Sequence, residues 1–198
     1  MKTCNRIGKR FVSAFIIGFT ISTAAFAQDA IQMEDHVLSD GKLDITEVGA
    51  VVATAQNHLK KMTEAAVKAA EEELEEAGIF RPMAFMFVKS SGEVRKMKLD
   101  GEGEDAPSHI KVLMYRAGLK SLARHGEIHA GLVAYPGSLE KNGETLRTMV
   151  VEHEHRLGVS GLKLIPVKLD KGEVTFGEAM SQDKQFQFFY DSEEGSKK

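Results

Sequence analysis

Two segments decide the fold of this chain: IHAGLVAY at residues 128–135 and TLRTMVVEHEHRL at residues 145–157. Both segments are rich in apolar and β-branched residues, which favours strands. The residues between them, from Pro136 to Asn142-Gly143, predict a long turn. Strands joined by so short a connection pair antiparallel, so this part of the chain predicts a hairpin.

The flanking elements extend the hairpin into a sheet with two helices. Helices are predicted at 45–77, where apolar residues recur at three- and four-residue steps, and at 107–126. Further strands are predicted at 83–88, 93–99, 162–169 and 173–176, with an additional edge strand at 185–190. The stripe of the second helix predicted to face the core consists of Ile110, Leu113, Met114, Ala117 and either Leu119 or Leu122.

The element order α-β-β-α-β-β-β(-β) predicts an α+β fold. We expect an antiparallel sheet of five to six strands with two main helices packed on one face. The order is similar to that of profilin-type and roadblock-type sandwiches, so the arrangement is predicted to be two-layered or profilin-like. Residues 45–190 are predicted to form a single domain, and residues 191–198 a charged tail.

Residues 1–27 have the pattern of a secretory signal peptide. Four basic residues precede an apolar run from Phe11 to Ala25, and Ala25-Phe26-Ala27 supplies the small residues of a cleavage site. The apolar run is short of the roughly 20 residues that a membrane-spanning helix needs. The sequence therefore predicts export to the periplasm or the extracellular space, with residues 28–44 as a flexible lead-in.

Export changes the composition of the remaining chain. The single cysteine, Cys4, leaves with the signal peptide, which excludes a disulfide framework, a thiol nucleophile and a cysteine metal site. Four positive charges and no negative charge are removed, so the formal charge falls from −3 to −7. That charge disfavours nucleic acid and anionic membranes as partners.

The densest cluster of chemistry-bearing residues is Glu152-His153-Glu154-His155-Arg156. On a strand, His153 and His155 share one face and can reach one metal ion. Zinc takes three or four protein ligands, and His129 on the preceding strand could supply the third. The favoured interpretation is a polar strand end that leaves the core, with its charges paired across strands. The alternative is a zinc or copper site at His153, His155 and His129.

Other motifs point to structure rather than chemistry. Residues 40–47 match the back half of an EF-hand loop, but His36 and Leu38 stand where calcium needs oxygen ligands. Asp44 and Glu47 have the spacing of a helix capping box. No Gly-x-Ser-x-Gly hydrolase elbow is present in the sequence.

The C-terminal half resembles a family of bacterial proteins to which no activity is attached. The matching features are an apolar strand followed by Gly92-Glu93, the segment 151–158, Pro166, and the closing segment 174–178. The family pattern has no second histidine at the position of His153. The resemblance implies one compact domain and no particular function.

Three functions follow as expectations. The first is a non-catalytic domain that binds a ligand or a protein, because the chain has a foldable core and no assembled catalytic set. The second is the extracytoplasmic metal-binding protein, and the third a hydrolase, which would need a pocket with a perturbed acid or base. A homodimer formed through residues 45–77 is also predicted.

Overall fold

The structure is a computed structural model that describes residues 45–141 and 143–190. The predicted signal peptide, the lead-in at 28–44, the Asp44 cap and the tail at 191–198 lie outside the described residues.

Two α-helices and seven strands make up this part of the chain. Helix α1 spans Ile45–Ala77 and helix α2 spans Ser108–Arg124. The strands are β1 (Met83–Val88), β2 (Glu93–Met97), β3 (Ile128–Lys141), β4 (Glu144–His155), β5 (Val159–Asp170), β6 (Glu173–Phe176) and β7 (Met180–Gln182). Among the described residues, no helix is long and apolar enough to cross a membrane.

The strands form one antiparallel sheet in the order β2-β1-β3-β4-β5-β6, and β7 pairs with β5 beside β6. The predicted α+β class and the element order are confirmed, with seven strands in place of five to six. Strand β4 lies between β3 and β5, so it is an inner strand along most of its length. This position matters because β4 carries the Glu-His-Glu-His segment.

The two helices pack on opposite faces of the sheet, which corrects the expectation that both cover one face. Successive residues of β1 point to opposite faces. Phe85 lies in the core under α1, whereas Ala84 lies in the core under α2. The physical reason is that β1 and β3 are apolar on both faces, and each face must be covered. The molecule therefore has three layers, with a helix, the sheet and a helix.

The predicted stripe of α2 is only partly buried. Leu119 is in the core, packed so closely on Gly131 that a Cβ there would lie 3.2 Å from the leucine. Val112 and Tyr115 fill the rest of that interface. The remaining members of the stripe face away from the sheet and are exposed: Ile110, Leu113, Met114 and Ala117. Helix α2 has two apolar faces, and the face that carries Tyr115 packs against the sheet.

Two strand boundaries differ from the prediction. The residues from Pro136 to Lys141 continue β3 and pair with β4 up to Lys141–Glu144, so the predicted long turn is replaced by a much shorter connection. Gly143 has a φ of +82°, the conformation that a tight hairpin turn needs. The predicted edge strand at 185–190 is wrong, because the backbone N–H groups of that segment donate to a buried carboxylate instead.

Candidate functional site

The Glu-His-Glu-His segment of β4 is buried in the middle of the molecule. Glu152, His153, Glu154 and His155 are each 7% exposed or less. The interpretation of this segment as a polar strand end that leaves the core is therefore wrong. Buried ionisable side chains are costly unless they are neutral or paired, so each of the four must be either uncharged or compensated by a partner.

Glu152 faces α2 and is neutralised there. The guanidinium of Arg116 donates to both carboxylate oxygens, with Nε 3.0 Å from Oε2. The hydroxyl of Tyr135 donates to Oε1 at 2.7 Å. Burial and the bond to Glu152 raise the pKa of Tyr135 to about 12, so the phenol stays protonated. Glu152 is thus held by a charged fork and a phenol, an arrangement that stabilises the contact between α2 and the sheet.

Glu154 also faces α2 and holds the C-terminal segment. Its Oε1 accepts from the ammonium group of Lys184 at 2.5 Å and from the backbone N–H of Gln187 at 2.7 Å. Its Oε2 accepts from the N–H groups of Phe188 and Phe189, at 2.7 and 3.2 Å. Phe188 is thereby held in the core between α2 and the sheet. Glu154 thus replaces the strand partner that these backbone groups lack.

His155 faces α1 and belongs to a chain of hydrogen bonds. The N–H of Leu157 donates to Nδ1 of His155 at 3.1 Å, which leaves the proton of the neutral ring on Nε2. This Nε2 lies 3.1 Å from Nδ1 of His58 on α1, so His58 accepts the bond. The His58 ring stacks on Phe87 with 3.7 Å between ring centroids, and His129 lies 6.0 Å away. We call His58, His129, His155 and Phe87 the ring cluster.

The ring cluster is kept uncharged by its surroundings. Burial, with the neighbouring His58 and His129, lowers the pKa of His155 to about 3. Burial is also the largest cause that lowers the pKa values of His58 and His129, each to about 4. All three rings are therefore neutral near pH 7, which suits their position between α1 and the sheet.

The predicted metal ligands are only partly brought together. His129 and His155 are neighbours, with ring centroids 6.4 Å apart, but His58 rather than His153 completes the group. A histidine that binds metal donates its second N–H to a partner. Nδ1 of His155 instead accepts an N–H, so its Nε2 has no lone pair to offer.

Within residues 45–141 and 143–190, no three His, Cys, Asp or Glu residues are grouped as metal ligands. The zinc or copper site at His153, His155 and His129 stays a prediction, and the hydrogen bonding of His155 counts against it.

His153 shares the α1 face with His155 but lies in a different environment. Its ring covers Gly161 of β5, where an added Cβ would be 2.9 Å from Nε2. Its Nδ1 is buried and has no hydrogen-bond partner among the described residues, although the backbone of Val151 lies near enough to affect its pKa. Burial, then the charges of Lys163 and Lys184, lowers this pKa to about 4.

His153 lines an open cleft of about 500 Å³ at the edge of the sheet, beside β5 and β7. In the sheet, Gly161 lies opposite His153, and Ser181 lies opposite Lys163. Residues opposite each other project on the same face, so all four lie on the α1 face. Asp183 follows β7 directly and also lines the cleft. We call this set the edge cleft: His153, Gly161, Lys163, Ser181, Gln182 and Asp183.

Ser160 lines the edge cleft, but its hydroxyl does not belong with His153. Ser160 pairs with Glu154 across β4 and β5, and a residue directly opposite another projects on the same face. The Ser160 hydroxyl, which is buried without a hydrogen-bond partner among the described residues, therefore lies on the α2 side. His153 therefore lines the edge cleft without a serine hydroxyl beside it on the α1 face at position 160.

Replacement of Gly161 by alanine should displace the His153 ring. Since that ring is 93% buried, it has little room to move, and we expect Gly161→Ala to lower the free energy of unfolding by about 1–3 kcal/mol. Urea unfolding measures the change. Gly49→Ala is the matched control, because an added Cβ there contacts nothing and alanine favours the helix by about 0.5–1 kcal/mol. Equal effects of the two variants would contradict the packing of His153 on Gly161.

Several site residues were missed by sequence reasoning. His58 had a detectable signal, because it falls beside Leu59 in the apolar stripe between Ala55 and Met62. Arg116, Lys163 and Asp183 had none, since a charged residue on a helix or an edge strand is usually a solvated one.

No protein-family model, no curated protein and no solved structure matches this chain, so the edge cleft and the buried clusters are interpreted from their own geometry.

Proposed function

We propose that this chain is an exported, non-catalytic domain that binds a small polar ligand in the edge cleft. The observation that carries the proposal is that His153, which is nearly completely buried, lines an open cleft that also holds the side chains of Lys163 and Asp183.

The charges around the edge cleft favour a ligand that carries both signs. Lys163 and Asp183 both line it, and neither forms an ion pair with another described residue. Ser181 adds a neutral hydroxyl on the α1 face, whereas the side chain of Gln182, opposite Leu162, projects to the α2 side. A zwitterion such as an amino acid can place its carboxylate near Lys163 and its ammonium near Asp183, while a simple anion meets Asp183 unfavourably.

The state of His153 argues against catalysis in the same cleft. A general base works best when its pKa is near the operating pH, and an imidazole with a pKa of about 4 accepts protons poorly at pH 7. Its Nδ1 makes no hydrogen bond to a carboxylate that could orient it, such as Asp183. The serine and aspartate of this cleft are therefore not arranged with His153 as a catalytic triad.

Export is supported by the sequence of residues 1–27 and by the composition of the rest of the chain. A cysteine-free domain with a formal charge of −7 has neither a thiol to oxidise nor a charge that would hold it on nucleic acid. The core between α1, the sheet and α2 needs no disulfide to close it.

Ligand binding can be tested by titration with three matched small molecules. We expect alanine, a zwitterion, to shift the amide and His153 ring signals in nuclear magnetic resonance spectra. Acetate and methylammonium, which carry one charge each, should bind at least tenfold more weakly. Asp183→Asn should weaken alanine binding, whereas Asp170→Asn, at the exposed end of β5, should leave it unchanged.

Two outcomes would count against the proposal. Absence of any shift from the three molecules at tens-of-millimolar concentration would remove the edge cleft as a ligand site. Steady turnover of a generic ester that is lost in Asp183→Asn would show a catalyst instead of a binding domain.

A further inference from the structure

We infer that Glu154 is a positioning residue that sets the charge preference of the edge cleft, because it holds the ammonium group of Lys184 away from Asp183. The inference rests on the proposed function, since it concerns the ligand of that cleft. Asp183 lines the cleft, and Lys184 is the next residue along the chain. A free ammonium group beside Asp183 would offset the carboxylate that is proposed to bind the ammonium of the ligand.

The ammonium group of Lys184 is held on the α2 side of the sheet. It donates to Oε1 of Glu154 at 2.5 Å and to the carbonyl of Gln185 at 3.1 Å. It also lies 4.8 Å from the centre of the Phe188 ring, a distance at which a cation is attracted to an aromatic face. The side chain of Lys184 is 11% exposed and that of Glu154 is completely buried, so water screens this ion pair only weakly.

The same carboxylate fixes the chain that follows Asp183. The backbone N–H groups of residues 187–189 donate to Glu154. On the other side of Asp183, strand β7 ends with Gln182 paired to Leu162 of β5. Asp183 therefore lies between two anchored segments, and its place at the cleft depends on both.

The charge of Lys184 acts on the wall of the cleft. Burial is the largest cause that lowers the pKa of His153, and the charges of Lys163 and Lys184 follow. Because Glu154 is ionised beside Lys184, the two charges largely cancel at longer range. Lys163 and Asp183 then remain as charges that face the ligand, which is the arrangement that a zwitterion requires.

Neutral replacements of the two partners should change the preference of the cleft in opposite directions. In Glu154→Gln the charge of Lys184 is uncompensated, so methylammonium should bind about threefold more weakly and acetate about threefold more tightly. In Lys184→Met the charge of Glu154 is uncompensated, and both changes should reverse. The double variant with both replacements should return the ratio of the two dissociation constants to its wild-type value. Titration at pH 7, followed by nuclear magnetic resonance, measures this ratio.

Glu93→Gln is the matched control. Glu93 forms an exposed ion pair with Arg95 on β2, the strand at the opposite edge of the sheet, so its replacement should leave the ratio unchanged. A purely structural role of Glu154 would weaken the binding of alanine, acetate and methylammonium together. Opposite shifts in the two single variants therefore separate charge from structure.

The outcomes distinguish this inference from the proposed function. If the wild-type protein binds none of the three molecules, the proposed function fails. If it binds alanine, but the ratio is unchanged in both single variants or moves in the same direction in both, the inference is overturned and the proposed function stands. Lys184→Met keeps Glu154 and its three backbone donors, so an unchanged ratio in this variant alone overturns the inference if Glu154→Gln does not fold.

Discussion

Replacement of Glu154 by alanine should lower the free energy of unfolding by about 3–5 kcal/mol, one of the two largest effects expected for this chain. The carboxylate is completely buried and accepts from Lys184 and from three backbone N–H groups between Gln187 and Phe189. Without it, three backbone N–H groups lose their acceptor, and Lys184 keeps only the carbonyl of Gln185, so the cost is that of breaking a buried charged network. Urea unfolding gives the total.

Hydrogen exchange locates the effect of Glu154→Ala within the fold. The amides of Gln187, Phe188 and Phe189 should lose their protection first, because their acceptor is removed while the ladder between β3 and β4 stays paired. Glu154→Gln keeps the shape of the side chain and should retain part of the stability, which guards against a variant that does not fold.

A matched control for Glu154 lies on β2. Glu93 forms an ion pair with Arg95, but both side chains are more than half exposed, so Glu93→Ala should cost less than about 0.5 kcal/mol. If Glu154→Ala cost no more than Glu93→Ala, or left the amides of 187–189 protected, the carboxylate would not be what holds the C-terminal segment.

The second large effect is the loss of stability in acid. The pKa values of His153 and His155 are lowered to about 4 and about 3 in the folded protein, and the ordinary value is 6.5. Between pH 6.5 and pH 4 the unfolded chain therefore binds more protons than the folded one, so stability falls as the pH falls. The stabilisation is fully present above pH 6.5.

The magnitude follows from the two buried rings. Each buried histidine contributes up to about 1.4 kcal/mol per pH unit in this window. From pH 7 to pH 5, His153 and His155 together should lower the free energy of unfolding by roughly 4 kcal/mol. His58 and His129 act in the same direction, with smaller effects because they are half-buried.

The hydrogen-bond chain gives a structural reason for the same behaviour. Nδ1 of His155 already accepts the N–H of Leu157, and Nδ1 of His58 already accepts from His155. A second proton on either Nδ1 would set two N–H groups against each other. On His58 it breaks the contact between α1 and β4, and on His155 it breaks the bond with the N–H of Leu157.

His155→Gln separates this mechanism from general acid denaturation. Glutamine does not titrate but can still donate to His58, so the loss between pH 7 and pH 5 should shrink by about 2 kcal/mol. His109→Gln, on the exposed surface of α2, should leave the full loss. Urea unfolding at both pH values measures the difference. A pH dependence that is unchanged in His155→Gln would exclude the ring cluster as its source.

The buried face of α2 could not be predicted from the periodicity of its apolar residues. Apolar periodicity identified α2, yet it selected the stripe of Ile110 and Leu113, which faces solvent, because both stripes of the helix are apolar. Which stripe meets the sheet depends on what fills the space above Ala84 and Gly131, where Tyr115 and Leu119 fit. The sequence offers no local signal for that choice.

The sequence by itself determined the two helices, the order and antiparallel pairing of the main strands, and the sharing of one face by His153 and His155. These follow from local periodicity and from short connections, which depend only on neighbouring residues. Only the tertiary structure decided that the helices cover opposite faces and that β4 is buried with its charges compensated by Arg116 and Lys184. Those contacts join residues more than 29 positions apart along the chain. Local sequence patterns do not show which distant residues come into contact.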